Sequence, residues 1–240
     1  MAYRTPIIIE TYAELHLAPG GLTQADFFEV VPHLKSRGFA GVELASGGLQ
    51  LEVKSAGFPV PRERQRVRCW NADRTALVQL AEDLLVVNLT GKYPGWTQFR
   101  SNFKQAEEAL RSGVKSAEIR SVALHTLDQF RIGRGVYVAE RCVNVGGGFV
   151  PEWYRGSRLS FDVHLGRGAM LAEGQNEQIE IGVDATSDPV GVRIKVGLHR
   201  PVSQDRGADA ILEKLHDDST AIFEDLITDY VRNDIMGGVI

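Results

Sequence analysis

Arg62, Arg64, Arg66 and Arg68 occupy alternate positions in the segment RERQRVR. In an extended strand, side chains two residues apart leave the backbone on the same face, at intervals of about 7 Å. Four guanidiniums at that spacing repel one another unless something negative lies against them. Each also presents a planar fork of donors that matches carboxylate or phosphate. Between Lys54 and Arg74 there are six basic residues against two acidic ones. Three sources of negative charge suit such a row. One is acidic surface of the same fold, for which Glu10 and Glu14 on the first strand are candidates. Another is an acidic element of a second subunit or another protein. The third is the phosphate of a nucleotide or nucleic acid.

The opposite charge collects at the other end of the chain. Residues 205–236 hold nine acidic side chains (Asp205, Asp209, Glu213, Asp217, Asp218, Glu224, Asp225, Asp229 and Asp234) against three basic ones. A chain with a basic strand and an acidic helix can satisfy itself, associate with copies of itself or dock another protein; two solvated faces are the bland alternative. A formal net charge of −4 and the lack of aromatic interleaving beyond Trp70 make nucleic acid the lesser candidate partner.

Signatures of catalysis are missing. Gly133-Arg-Gly135 and Gly166-Arg-Gly168 lack the later glycine and the Lys-Ser/Thr ending of a phosphate loop. There is no Gly-x-Ser-x-Gly elbow and no His-Glu-x-x-His pair of metal ligands. The six histidines never reach metal-ligand spacing, so neither a metal nor a cofactor is expected. Asp162 and His164 share a strand face, a pairing that arises often by chance. Glu10, Tyr12, Glu14 and His16 form a polar strand face without a nucleophile nearby, which reads as an ion-paired sheet surface or a subunit contact.

The elements that carry these residues follow from periodicity. Residues 7–17 alternate apolar and polar as a half-buried strand. Thr23 is placed to cap a helix over 23–37. Gly38–Pro61 reads as a short strand and a loop. RQRVRCWNA, TALVQLAE and LLVVNL are strands joined at Asn71-Ala72-Asp73-Arg74 and at Glu82-Asp83, connections short enough to make antiparallel neighbours. A helix over 95–112 places Trp96, Phe99, Phe103, Ala106 and Leu110 on one face, which makes the Tyr93–Phe99 aromatics core rather than a ligand platform. Residues 118–132 form a further strand, and the glycine-rich stretch 133–157 reads as an extended loop or a joint. SRLSFDVHL, EQIEIGVDAT and VGVRIKVGL are three strands, and a long helix over 208–235 closes the chain. Strands gathered in hairpins predict an α+β fold on antiparallel sheet, with about three helices behind it. The expectation is one unit over residues 1–240, with 1–132 and 158–240 as candidate pseudo-symmetric halves.

A chain of 240 residues with 43% hydrophobic and 24% charged content is ordinary for a soluble globular protein. Cys69 and Cys142 make no metal spacing and read as reduced residues. No apolar run approaches the roughly 18 residues of a membrane span, and the Ile7-Ile8-Ile9 run is too short for a signal-peptide core, so a cytoplasmic location is expected.

One resemblance adds to this reading. LVQLAEDLLVVNLTGKYPGWTQF, with a strand ending at Asn88 and then Tyr93, Pro94, Gly95, Trp96 and Phe99, resembles a sporadically distributed family of prokaryotic proteins with no established activity. PIIIETYAEL, with Glu10 and Glu14, and FEDLITDYVRNDIMG are similar to that family's first strand and C-terminus. EIRSVALHTLDQF departs from the family, which carries Arg-Tyr and Asn-Arg where this chain has His125-Thr126 and Asp128-Gln129. Sporadic distribution implies genes on mobile elements, of which defence or toxin-associated modules are one setting. The reading is a non-enzymatic protein-interaction component, docking or self-associating through the arginine row with Glu10 and Glu14 as further binding residues. The rival reading is a nucleotide or nucleic-acid binder, or an enzyme, with a site around Arg66, Arg68, His125 and Asp128.

Overall fold

The computed structural model describes residues 7–53, 59–90, 93–131, 142, 144, 159–164, 167–172, 178–187, 190–202 and 207–237; within strands, the side chains of 46–53, 59–65, 159–164, 167–172, 178–179, 182–187 and 190–191 lie outside the description. The glycine-rich stretch 133–157 is outside it except at Cys142 and Asn144. The chain divides into two compact units that interleave in sequence. One, here the α1/α2 unit, comprises Ala13–Thr90 and Pro94–Ser121; the other, the α3 unit, comprises the residues up to Tyr12, Gly91–Tyr93 and Val122–Ile240. Neither coincides with residues 1–132 or 158–240.

The α1/α2 unit contains β2 (Gly41–Val53), β3 (Pro59–Trp70), β4 (Ala76–Ala81) and β5 (Leu84–Leu89), followed in the sheet order by the second half of β1 (Ile8–Leu17). The ladders β2–β3, β3–β4 and β4–β5 are antiparallel. Helices α1 (Gln24–Ser36) and α2 (Trp96–Gly113) cover one face of this sheet. α1 starts at Thr23, whose hydroxyl accepts from the Asp26 amide while the Asp26 carboxylate accepts from the Thr23 amide at 2.7 Å. That reciprocal pair satisfies two donors a helix start leaves free. α2 starts after Gly95, whose φ of 103° is open to glycine and strained for other residues. The two helices close on each other at Gly113, where an added Cβ would lie 2.9 Å from the backbone of Glu29.

Beneath them lies the core. Ala13, Leu15 and Leu17 of β1, Val67 and Cys69 of β3, Val78 and Leu80 of β4, and Leu85, Val87 and Leu89 of β5 are buried against Phe27, Val30 and Leu34 of α1 and Phe99, Phe103, Ala106 and Leu110 of α2. Burial pushes the Cys69 thiol up to about 11, so it stays a protonated core side chain. Trp96 is half-buried and its ring lies 5.5 Å from that of Phe99.

The α3 unit holds β6 (Ile119–Arg131, from Val122 onward), then β10 (Val190–Pro201), β9 (Gln178–Ser187), β8 (Arg167–Ala172) and β7 (Leu159–His164) in that sheet order. The ladders β7–β8, β8–β9 and β9–β10 are antiparallel. α3 (Ala208–Leu226) packs on β10, burying Ile211, Leu212, Leu215 and Ile222 near Val192, Ile194, Val196 and Leu198. The α+β class and the antiparallel pairing are as hairpin spacing predicts.

Three expectations are corrected. Gly38–Pro61 contains all of β2 and the start of β3, a long paired hairpin; a register shift between Ser46 and Leu49 breaks the alternation that would have announced it. The C-terminal strands number four, because Arg167–Ala172 pairs between β7 and β9. The last helix stops at Leu226 instead of Ile235. Ile227 is extended at φ −85°, ψ 151°, because the backbone groups there bond elsewhere: Thr228 N–H donates to Cys142 O, and Asn144 N–H donates to Leu226 O. A single wider turn, Val231–Ile235, follows.

Candidate functional site

Period-two alternation divides the α1/α2 sheet into a face under the helices and an opposite, half-buried face. The second face carries the basic row. Cross-strand register sets Glu43 of β2 beside Arg68 of β3, Arg68 beside Gln79 of β4, and Gln79 beside Val86 of β5. The next row runs Gly41, Trp70, Leu77 and Asn88, and Ala45 lies opposite Arg66 on the other side. Arg62 lies opposite Gln50 in register, and Arg64 falls at the register shift; the side chains of these two are outside the described residues.

The two described arginines of the row differ from ordinary surface cations. Arg68 Nε donates to Gln79 Oε1 at 3.3 Å, a neutral acceptor. Arg66 Nε is buried with no acceptor, and Ala45, its register partner, offers none. Among the described residues no carboxylate lies within ion-pairing distance of either group. Among the described residues Glu43, the acid beside Arg68 in register, is bonded elsewhere: it accepts from Arg74 Nη2 at 2.6 Å and from Trp70 Nε1 at 3.1 Å. These bonds, Arg74 first, hold the Glu43 carboxyl below the usual carboxylate range. Arg74 reaches back from a turn with φ 58°, a left-handed conformation uncommon outside glycine, and its guanidinium sits 4.8 Å over the Trp70 ring. This Glu43–Trp70–Arg74 cluster was not legible in sequence, since its members come from two strands and a turn.

Beyond the row lies the outer strand β2. Leu44 is 81% exposed there and Val42 is also exposed, on the face that α1 covers farther in. Glu14 sits on β1, which β4 and β5 separate from β3, and its carboxylate meets His16 Nε2 at 2.9 Å. Glu10 lies half-buried on β1 within the α3 unit and has interactions of its own.

The acidic C-terminal residues are largely occupied within their own unit. Asp218 accepts from Arg200 at 2.6 Å and from Lys214 at 2.8 Å. Arg232 bridges Glu224 at 3.1 Å and Asp229 at 2.9 Å, and also donates to the Glu224 carbonyl.

The remaining candidates do not converge. β6 turns His125 and Asp128 to opposite faces. His125 stacks on Tyr12 with centroids 4.5 Å apart, in space left by Gly197, where a Cβ would lie 2.7 Å from Nδ1. Asp128 is buried on the face where Thr126 meets Ser219 of α3. Asp162 and His164 pair in register with Ala169 and Arg167, their side chains outside the described residues. Among the described residues, no three His, Cys, Asp or Glu side chains gather as a metal site, and no helix is long and apolar enough to cross a membrane. No protein-family model matches this chain, and comparison with curated proteins finds no match.

Proposed function

We propose that this protein is a non-enzymatic interaction component that binds an acidic partner protein through the β3 face of the α1/α2 unit. The observation that carries the reading is the state of Arg66 and Arg68: half-buried cations on one sheet face, one with a buried donor lacking an acceptor, the other bonded to a neutral amide. A buried donor left unpaired costs about 1–3 kcal/mol. A carboxylate brought by a partner removes that cost and adds charge-assisted bonds.

Phosphate is the rival ligand for the same arginines. The aromatic that would stack a base is Trp70, and the Arg74 guanidinium already lies over its ring. That favours a protein partner over a nucleic acid. A second copy of this chain is one form such a partner can take.

The test is capture from the native host by immobilised wild-type protein and by Arg66→Glu/Arg68→Glu protein, at low and raised salt. The reading expects proteins that the wild type retains at low salt, that are released by a few tenths molar salt, and that the variant fails to retain. Retention of the same proteins by the variant overturns it; retention of nucleic acid alone by the wild type moves the assignment to the phosphate reading.

A further inference from the structure

The sheet of the α1/α2 unit ends at β2, whose outer edge has no neighbouring strand among the described residues. Every second residue of such an edge points its N–H and C=O outward. Folded proteins blunt these groups with a lysine, a proline, a bulge or a covering segment, because an open edge is a template for another strand. Gly41–Ala45 holds no lysine and no proline, and its register against β3 is regular as far as Ser46. Its single charged residue, Glu43, is bonded to Trp70 and Arg74 of the same unit.

The two faces of this edge differ. Val42 and Leu44 stand opposite Cys69 and Val67, which are buried under the helices, so they carry the helix-covered face out beyond its cover. Leu44 is 81% exposed there. Glu43 and Ala45 stand opposite Arg68 and Arg66, on the arginine face. One edge thus offers backbone groups, an apolar strip on one face, and on the other a carboxylate beside a cation whose buried Nε lacks an acceptor.

We propose that β2 pairs antiparallel with β2 of a second copy of this chain, centred on Leu44, and so joins the α1/α2 units of two copies in one sheet. This names the partner of the arginine face and therefore rests on the interaction reading above. Charge and parity set the register. Directly opposed residues share a face, so a two-fold axis through the pairing must pass through a residue. Centred on Glu43, it would oppose two carboxylates, which is unfavourable. Centred on Leu44, it stacks the two exposed leucines and sets Glu43 opposite Ala45 of the other copy. Ala45 already lies beside Arg66, so the row reads Arg66, Ala45, then Glu43 of the second copy. Of the axes through this stretch, it is the one that brings a carboxylate into the row of Arg66. That carboxylate belongs to a strand about 10 Å from β3, two strand spacings, and the small Ala45 side chain leaves the path between them open. Glu43 accepts two bonds within its own chain, of about four that a carboxylate can take.

The experiment is sedimentation equilibrium of the purified full chain over a concentration series, repeated on three variants. The wild type is expected to show a monomer–dimer equilibrium. Leu44→Lys should weaken the dimer at least about tenfold, because it opposes two ammonium groups at the axis. The exposure of Leu44 keeps that variant folded. Arg66→Gln should weaken the dimer severalfold through loss of a charge-assisted bond. Leu44→Cys should form a disulfide-linked dimer on oxidation, since opposed residues of an antiparallel pair lie within disulfide reach. The wild type should stay unlinked, because Cys69 and Cys142 are buried. A dimer unmoved by Leu44→Lys or by Arg66→Gln, or a Leu44→Cys chain that does not link, overturns the proposal. A wild type that is monomeric at every concentration also overturns it. The arginine-face reading would then stand or fall on its own capture test, where retention of a different acidic protein upholds it.

Discussion

Arg66 and Arg68 on β3 and the acids of the C-terminal segment carry opposite charge, and the fold treats them in opposite ways. Asp218 and Glu224 are about as buried as the arginines that hold them, and each has a cation at bonding distance. Arg68 is bonded to a neutral amide and Arg66 Nε has no acceptor, and among the described residues neither has a carboxylate at ion-pairing distance. A satisfied half-buried ion pair is part of how a unit holds together; removing one partner strands the other. An unsatisfied half-buried cation contributes little to folding, so its removal is felt by what binds it. The two regions teach that a run of like charge has no meaning until its partners are known.

The sharpest way to break this contrast is charge reversal on β3. Arg66→Glu/Arg68→Glu should weaken partner binding by about a hundredfold or more, read by titration calorimetry with the captured partner, because each lost contact with a desolvated charge costs several kcal/mol. Its melting temperature should move by less than about 2 °C. A variant that unfolds shows instead that the row is an internal structural face.

In the C-terminal segment the effect should reverse in kind. Arg200→Met leaves Asp218, whose side chain is 15% exposed, with the exposed Lys214 as its remaining cation among the described residues. Urea unfolding should show a loss of about 1–3 kcal/mol, with partner binding unchanged. Equal effects on binding would merge the two regions into one surface.

Salt separates them by a third route. Between roughly 0.05 and 0.5 M salt, where the Debye length falls from about 14 to 4 Å, the affinity of the β3 face should drop about tenfold. The urea midpoint should change little over the same range, since the pairs of Asp218 and Glu224 are shielded from screening by burial. The smallest effect belongs to Lys214→Met. Lys214 is 56% exposed, and its loss should cost less than about 0.5 kcal/mol because Arg200 still holds Asp218. A larger cost would show that the pairing depends on the exposed cation.

Much of the scaffold was legible, and the exceptions share a cause. Thr23 and Asp26 announce the start of α1, and the Phe99–Phe103–Leu110 spacing announces the buried stripe of α2, because both signals are local. β2 was obscured because its register shift breaks the period of two, so no single alternation runs through Gly41–Val53. α3 was read too long because Ile227 and Tyr230 continue its apolar stripe. What stops it is the hydrogen bonding of Asn144 and Cys142, which are more than eighty residues away along the chain.

By itself, the sequence determined the alternation that sets Arg66 and Arg68 on one face of β3, since side-chain direction along a strand follows from backbone geometry alone. It determined the helix start at Thr23 and the turn at Asn71–Arg74 for the same reason. Tertiary structure alone decided whether those charges met partners. Cross-strand register set Arg68 between Glu43 and Gln79 and Arg66 beside Ala45, while the turn at Arg74 drew the Glu43 carboxylate into its own hydrogen bond. It also decided that Asp128, a residue type that belongs at the surface, is enclosed. Burial and pairing depend on which distant segments arrive at a position, and the residues at that position do not encode it.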